Sequence, residues 1–296
     1  MKDFFKYVSA SEEDRDWGLF LNVAGRSTIP AGVIYPSPKH PSGYYFTWNN
    51  GRTLQEYQIN FVTGGSGVLE NKKGKFSVKP GSLMIIRKGE WHRYKPTKGT
   101  GWVEHYIGFD GILADHFLKK NKVLLGQSVI HCGMREDFID AYDKIFELVK
   151  NEEPGNQHIA SGHIIKLLGY IVAWQKQRNF SGKPIEKLIQ EARFHMRNKV
   201  EEKVDLKKFA EDSFIGYSYF RKMFKKYTGI APHQYHLDLK LIRAKELILT
   251  SDKHLKEISY DLGFHSVHYF SRVFKKKIGC NPSELRGTVA RNGHLK

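Results

Sequence analysis

Trp102, Glu104 and Tyr106 alternate along one short run, so on a strand their side chains share a face. An indole, a carboxyl and a phenol on one face suit a polyhydroxylated ligand: the rings cover C–H patches and the charged group binds hydroxyls. Arg52, Tyr57, His92 and Tyr94 lie in neighbouring runs and complete the candidate set. The plainer reading makes Trp102 and Tyr106 core and pairs Glu104 with a nearby arginine. Metal catalysis would need several histidines and a carboxylate converging on one ion. His40, His92 and His105 form no compact set, and His105 falls on the opposite face from Glu104, so no metal or other cofactor is expected. With no glycine-rich phosphate loop, nucleophile elbow or supported Cys/His pair, no enzyme is expected either.

A second set of residues is basic and occurs twice. The segment YFRKMFKKYTGIAP (219–232) repeats as YFSRVFKKKIGCNP (269–282) at an offset of 50, with Tyr, Phe, Phe, Lys, Lys, Gly and Pro each recurring in place. Each copy ends a unit of helix, turn and helix, and Gly263 suits the second turn because it tolerates positive φ. On each second helix the phenylalanines stand four apart and face inward: Phe220 and Phe224, then Phe270 and Phe274. The opposite side carries Ser218, Arg221 and Lys222 in unit one. In unit two it carries Val267, His268, Ser271 and Arg272. Such a face fits a major groove. Lys225, Lys226, Lys275 and Lys276 follow at the helix ends, where they suit phosphates. One such lysine cluster alone would be an ordinary solvated helix end. Two on one rigid unit, spaced by a helix over 232–249, imply duplex DNA read in groove segments about one helical turn (~34 Å) apart.

Charge agrees. The 296 residues carry a formal net charge of +17, which points to a polyanion. Residues 183–296 hold 24 Lys and Arg against 13 Asp and Glu, while 1–182 hold 24 against 18, so the shorter segment holds most of the surplus. Two distant cysteines, Cys132 and Cys280, suggest buried thiols in a reducing compartment. The first residues are too charged for a signal peptide and no run is long enough to span a membrane, so a cytoplasmic protein with no membrane partner is expected.

The elements that must position these residues change class along the chain. Short runs between turn residues over 29–109, among them GYYFTW, EYQINFV and WVEHYIGF, predict a small antiparallel barrel or sandwich. Helical spacing over 137–150 and 158–177 predicts an αα-hairpin. Residues 178–184 are polar, end in Pro184 and are expected to be a linker. From 185 onward the pattern is helical throughout. The expected fold is α+β multidomain: an N-terminal β-barrel domain with a helical hairpin over 1–177, then an all-α double helix-turn-helix domain over 185–296.

Residues 258–286, ISYDLGFHSVHYFSRVFKKKIGCNPSELR, resemble the hallmark segment of AraC/XylS-type transcription regulators, and the double motif of that family extends over about 185–286. Two positions depart: Ser259 replaces the usual alanine, and Gly216 stands where a serine often caps the first recognition helix. Unit one is therefore expected to be the weaker reader. The runs 54–68, 78–84 and 89–94 are similar to the cupin barrel of the arabinose-type regulators. That resemblance places Tyr94 on a ligand-contacting tyrosine, and Glu104 and Tyr106 where a histidine and a tryptophan contact sugar. Strict register puts Asn50 at the key arginine, with Arg52 close enough to supply it. The resemblance implies a sugar-responsive activator of carbohydrate-utilisation genes, dimeric through the 137–177 helices and working with RNA polymerase. The alternatives are a cupin-type carbohydrate-binding or carbohydrate-active protein with a basic appendage, and a regulator of this family with no small-molecule effector.

Overall fold

The computed structural model describes residues 3–36, 44–120, 126–202 and 204–293. The chain divides into two compact units, Met1–Gln175 and Lys176–Lys296.

The first unit is built on two antiparallel sheets. Its strands are β1 (Phe4–Tyr7), β2 (Phe20–Ile29), β3 (Arg52–Thr53), β4 (Tyr57–Gly65), β5 (Gly67–Asn71), β6 (Gly74–Val78), β7 (Ser82–Ile86), β8 (Trp91–Pro96), β9 (Trp102–Asp110) and β10 (Val129–His131). The six-stranded sheet runs β1-β2-β9-β4-β7-β10 and the four-stranded sheet β3-β8-β5-β6. Leu54, Val62, Leu69, Met84, Tyr94 and Trp102 fill the space between them. Two short helices, α1 (Glu12–Asp16) and α2 (Ile112–Lys120), precede the hairpin α3 (Glu136–Asn151) and α4 (Asn156–Gln177). The hairpin covers the other face of the large sheet, where Tyr57, Ile59, Phe61 and Phe109 meet Phe138, Tyr142, Ile164 and Leu168.

Two expectations for this unit change. β1 and most of β2 lie before residue 29, outside the predicted strand region, yet β2 pairs with β9 along its length. The first six residues of its sequence FLNVAGRSTI are buried or half-buried in succession and the register breaks between Leu21 and Val23, so it lacks the strict alternation that marks a half-exposed strand. The GYYFTW run forms no strand over its described residues, only an isolated bridge from Thr47 to Gly51. Its Phe46 is buried even so.

The second unit holds α5 (Pro184–Asn198), α6 (Leu206–Asp212), α7 (Tyr217–Thr228), α8 (Pro232–Thr250), α9 (Leu255–Asp261), α10 (Val267–Ile278) and α11 (Pro282–Gly293). It has two small cores. Phe220 and Phe224 join Ile189, Met196 and Leu206 in one; Phe270 and Phe274 join Ile258, Leu262 and Phe264 in the other. α8 serves both, giving Tyr235 and Leu239 to the first and Leu241, Ala244 and Ile248 to the second. Phe180 is also buried in the first core, its ring edge-on to Tyr227 at 5.0 Å. The expected linker is thus partly packed, because one large ring among polar residues finds apolar cover.

The recognition helices α7 and α10 are each 12 residues long and end identically. Gly229 and Gly279 take φ of 89° and 96°, and their N–H groups donate to the carbonyls of Lys225 and Lys275. The first helices, however, correspond at an offset of 49 rather than 50. The difference lies in the turn. Unit two has left-handed Gly263, then Phe264 and His265, then the cap Ser266, whose Oγ accepts from the Tyr269 N–H. Unit one has left-handed Phe214, then Ile215, then Gly216, which has no side chain to cap with.

Phe214 sits at φ 55° with its side chain 97% exposed. A side chain in that region costs about 1–2 kcal/mol, which glycine avoids. Phe214→Gly is expected to stabilise the protein by about 0.5–1 kcal/mol after the added unfolded-chain entropy is offset. Thermal unfolding checks it, with Gly263→Phe expected to lower the midpoint.

Candidate functional site

The barrel interior brings six of the seven predicted residues into one neighbourhood. β4 and β9 pair with Asn60 opposite Tyr106 and Val62 opposite Glu104, so the inward side chains of the two strands interleave. The Asn60 side-chain amide donates to the Glu104 carboxylate at 3.4 Å. Trp102 stands 5.8 Å from Tyr94, ring to ring. Arg52 on β3 pairs across to His92 on β8. Its Nε donates to His92 Nε2 at 3.2 Å, one Nη to the Tyr94 hydroxyl at 2.7 Å, and the other Nη to the Tyr44 carbonyl. The guanidinium also lies over the rings of Phe46 (4.9 Å) and Tyr94 (5.1 Å). Arg52 thus places a guanidinium in the barrel interior, while Asn50 is exposed and offers its carbonyl to Trp91.

Tyr57 does not belong to this set. Its face of β4 packs under the hairpin, and its hydroxyl donates to Asp115 Oδ1 at 2.6 Å. One residue of phase separates it from Gln58 and Asn60, and on a strand one residue is the whole difference between faces. His105 likewise faces the hairpin, stacked on Phe146 at 6.1 Å. Among the described residues no three His, Cys, Asp or Glu side chains are grouped to hold a metal ion. His40 lies outside the described residues.

Electrostatics divide the interior. Burial, helped by the Arg52 charge, pushes His92 down to about 4, so its ring is neutral at pH 7. With Nε2 accepting from Arg52, the proton sits on Nδ1 and reaches the Glu90 carbonyl at 3.0 Å. Burial pushes Glu104 up to about 7, against the smaller opposing effects of Asn60 and Arg52. No cation among the described residues lies within ion-pair distance of Glu104, so the pairing with an arginine does not occur. Glu56, also buried, accepts from the Tyr44 hydroxyl at 2.6 Å and from Gln58 at 2.9 Å. Among the described residues three polar atoms of the interior, Trp102 Nε1, Asn60 Oδ1 and the Tyr35 hydroxyl, are buried with no partner. Tyr106 is half-buried, its hydroxyl over Gly25, where any side chain would collide with the ring.

Sequence reasoning missed Tyr35, Tyr44, Phe46, Glu56, Gln58 and Asn60. For Gln58 and Asn60 the signal existed: two amides at period two in the apolar run YQINFV mark a polar inner face. Tyr35 and Phe46 come from loops, where no periodicity shows which way a ring turns.

The second site lies on α7 and α10. Ser218, Arg221, Lys222, Lys225 and Lys226 are exposed on α7; His268, Arg272, Lys275 and Lys276 are exposed on α10, with Val267 and Ser271 half-exposed. The buried phenylalanines turn these faces outward. None of the seven lysines and arginines here has an ion-pair partner among the described residues. Several cations elsewhere in the same unit do, Lys187 with Glu191, Lys207 with Glu211, Arg243 with Glu201 and Lys253 with Asp261, although Lys208, Lys245 and Lys256 have none among the described residues. Lys277 is also paired, to Asp238 on α8 at 2.7 Å.

A sheet domain with an unmet polar interior, joined to a domain with two unpaired basic helices, defines a ligand-responsive DNA-binding regulator. Comparison with known proteins agrees. Residues 32–168 match the model of the AraC-like ligand binding domain, and 209–288 match a helix-turn-helix domain. The chain belongs to the AraC family of transcription regulators. It is 23% identical to the Msm operon regulatory protein of Streptococcus mutans, over 87% of this chain and 92% of that one. It is 22% identical to the arabinose operon regulatory protein of Escherichia coli, over 79% and 81%. The transcriptional activator RhaR of Mannheimia succiniciproducens is 28% identical, over 77% and 84%. The crystal structure of an AraC-type regulator from Chromobacterium violaceum is 28% identical over 36% of this chain and 94% of that one, with a TM-score of 0.33.

The raised Glu104 predicts a pH effect. A carboxyl at about 7 when folded, against an ordinary 4.5, binds its proton more tightly in the native state. Its contribution is fully present below pH 4.5 and is lost as pH rises through 7, by about 3 kcal/mol in all. Glu104→Gln is expected to gain stability relative to wild type as pH rises from 5 to 8. Parallel thermal unfolding curves of the two proteins across that range would contradict this.

Proposed function

We propose that this regulator responds to a saccharide held in the barrel and activates carbohydrate-utilisation genes. The relatives named above include regulators of an arabinose operon and an Msm operon, and the barrel interior supports the same chemistry here. Trp102, Tyr94, Phe46 and Tyr35 supply ring faces, while Glu104, Asn60 and the Trp102 indole N–H have bonding capacity to spare. These groups bind rather than catalyse, and the protein is proposed to be no enzyme. A sugar present at 100 times its Kd should raise stability by ~2.7 kcal/mol. Differential scanning fluorimetry against pentoses, hexoses and short oligosaccharides is expected to find such a ligand. A flat response to every sugar would leave only the regulator without a small effector.

The unpaired cations of α7 and α10 carry the DNA half of the proposal. The protein is proposed to act in the cytoplasm together with RNA polymerase. It is proposed to be a homodimer through α4, whose outer side presents Ile159 and Ile165 exposed, with open space over Gly162 and Gly169.

Roles on the two helices separate experimentally. On a site selected from random duplexes, Arg272→Ala is expected to lose about 1–3 kcal/mol and to relax preference at one base pair, while random DNA binds nearly as before. Lys276→Ala is expected to weaken both equally and to lower the salt slope by roughly 0.9. Equal losses for Arg272→Ala on specific and random DNA would make it a phosphate contact.

A further inference from the structure

The barrel interior holds two buried carboxyl groups, Glu104 and Glu56, and one guanidinium, Arg52. Glu104 receives a single long hydrogen bond, from Asn60, and has no ion-pair partner among the described residues. Asn60 Oδ1 is buried and unpartnered. Glu56 adds a second buried carboxylate in the same interior. Against these stands Arg52, three of whose five N–H groups are already engaged. All three nitrogens donate within the protein, to His92, Tyr44 and Tyr94, and aromatic rings flank the guanidinium. His92 cannot supply positive charge, since one ring nitrogen accepts from Arg52 and the other faces a carbonyl. Among the described residues the Trp102 Nε1 and Tyr35 hydroxyl groups of this interior are buried without a partner.

A ligand that satisfies this inventory must bring hydroxyl hydrogens to Glu104 and Asn60, and no negative charge of its own. We infer that the barrel selects its effector by charge: it takes an uncharged, donor-rich polyol and rejects the corresponding sugar acid or sugar phosphate, with Glu104 as the discriminating residue. This rests on the barrel being the effector site. A uronate or phosphate brings acceptors to Glu104 and Asn60 Oδ1, which themselves accept. It also sets an anion near a carboxylate in a medium that screens poorly. A neutral sugar donates to the same carboxylate at no such penalty.

The test uses the full-length protein at pH 8, where Glu104 is ionised. Titration calorimetry compares a neutral sugar found by thermal shift with its uronic acid and its terminal phosphate. The expected result is that both anions bind at least tenfold more weakly than the parent. Glu104→Gln should narrow that gap at least fivefold. Trp102→Phe, which removes the indole donor and keeps a ring, should weaken the neutral sugar without narrowing the gap. A cooperative thermal unfolding transition of the barrel unit shows that each variant is folded. Anions that bind as well as the parent, or a gap unchanged in Glu104→Gln, overturn the charge filter and leave the saccharide reading intact. No binding by any member of the series overturns both.

Discussion

In water an exposed lysine needs no partner, whereas a buried carboxylate does, because nothing else there replaces its lost hydration. That difference organises both halves of this chain. In the second unit, carboxylates stand beside Lys187 of α5, Lys207 of α6, Lys253 ahead of α9 and Lys277 at the end of α10, but among the described residues not beside the outward-facing cations of α7 and α10. Cations left unpaired on an exposed face retain their full attraction for a polyanion. In the barrel the same deficit has the opposite sign. Glu104 is taken out of water without a counter-charge, and the fold bears that cost in the absence of ligand.

The scaffold required to sustain these deficits is economical. In each recognition helix a pair of phenylalanines four residues apart fixes the rotation about the helix axis, and so decides which residues face outward. In the barrel, the interleaving of β4 with β9 brings the amide of Asn60 to Glu104, and the pairing of β3 with β8 brings Arg52 to His92. α8 links the two small cores of the second unit by giving different faces of one helix to each.

The sequence was most legible where the physics is local. The double motif showed itself because helix periodicity, capping glycines and following prolines all act within a few residues, and each recurs. The barrel was legible in outline and less so in detail. Trp102, Glu104 and Tyr106 share one strand, so alternation alone placed them together, whereas Tyr57 was assigned to the wrong face by one residue. β2 escaped notice because a strand whose first six residues are buried or half-buried in succession has no alternation to betray it. Tyr44, Phe46 and Glu56 take part through loops and cross-strand contacts, and those depend on which distant segments meet. The left-handed turn of unit one was equally hidden, since nothing about a phenylalanine announces positive φ.

The two motifs differ by one residue between the left-handed position and the helix cap: Ile215 in one, Phe264 and His265 in the other. Had that residue been gained or lost inside α10, everything beyond it would have rotated by about 100°, carrying Arg272 off its face and Phe274 out of its core. In the turn, the change leaves the phase of both helices untouched. The turn is thus the place where duplicated copies can drift in length while their working surfaces stay aligned. An engineer exchanging recognition helices between the two units would do best to cut there, taking each helix together with its own cap.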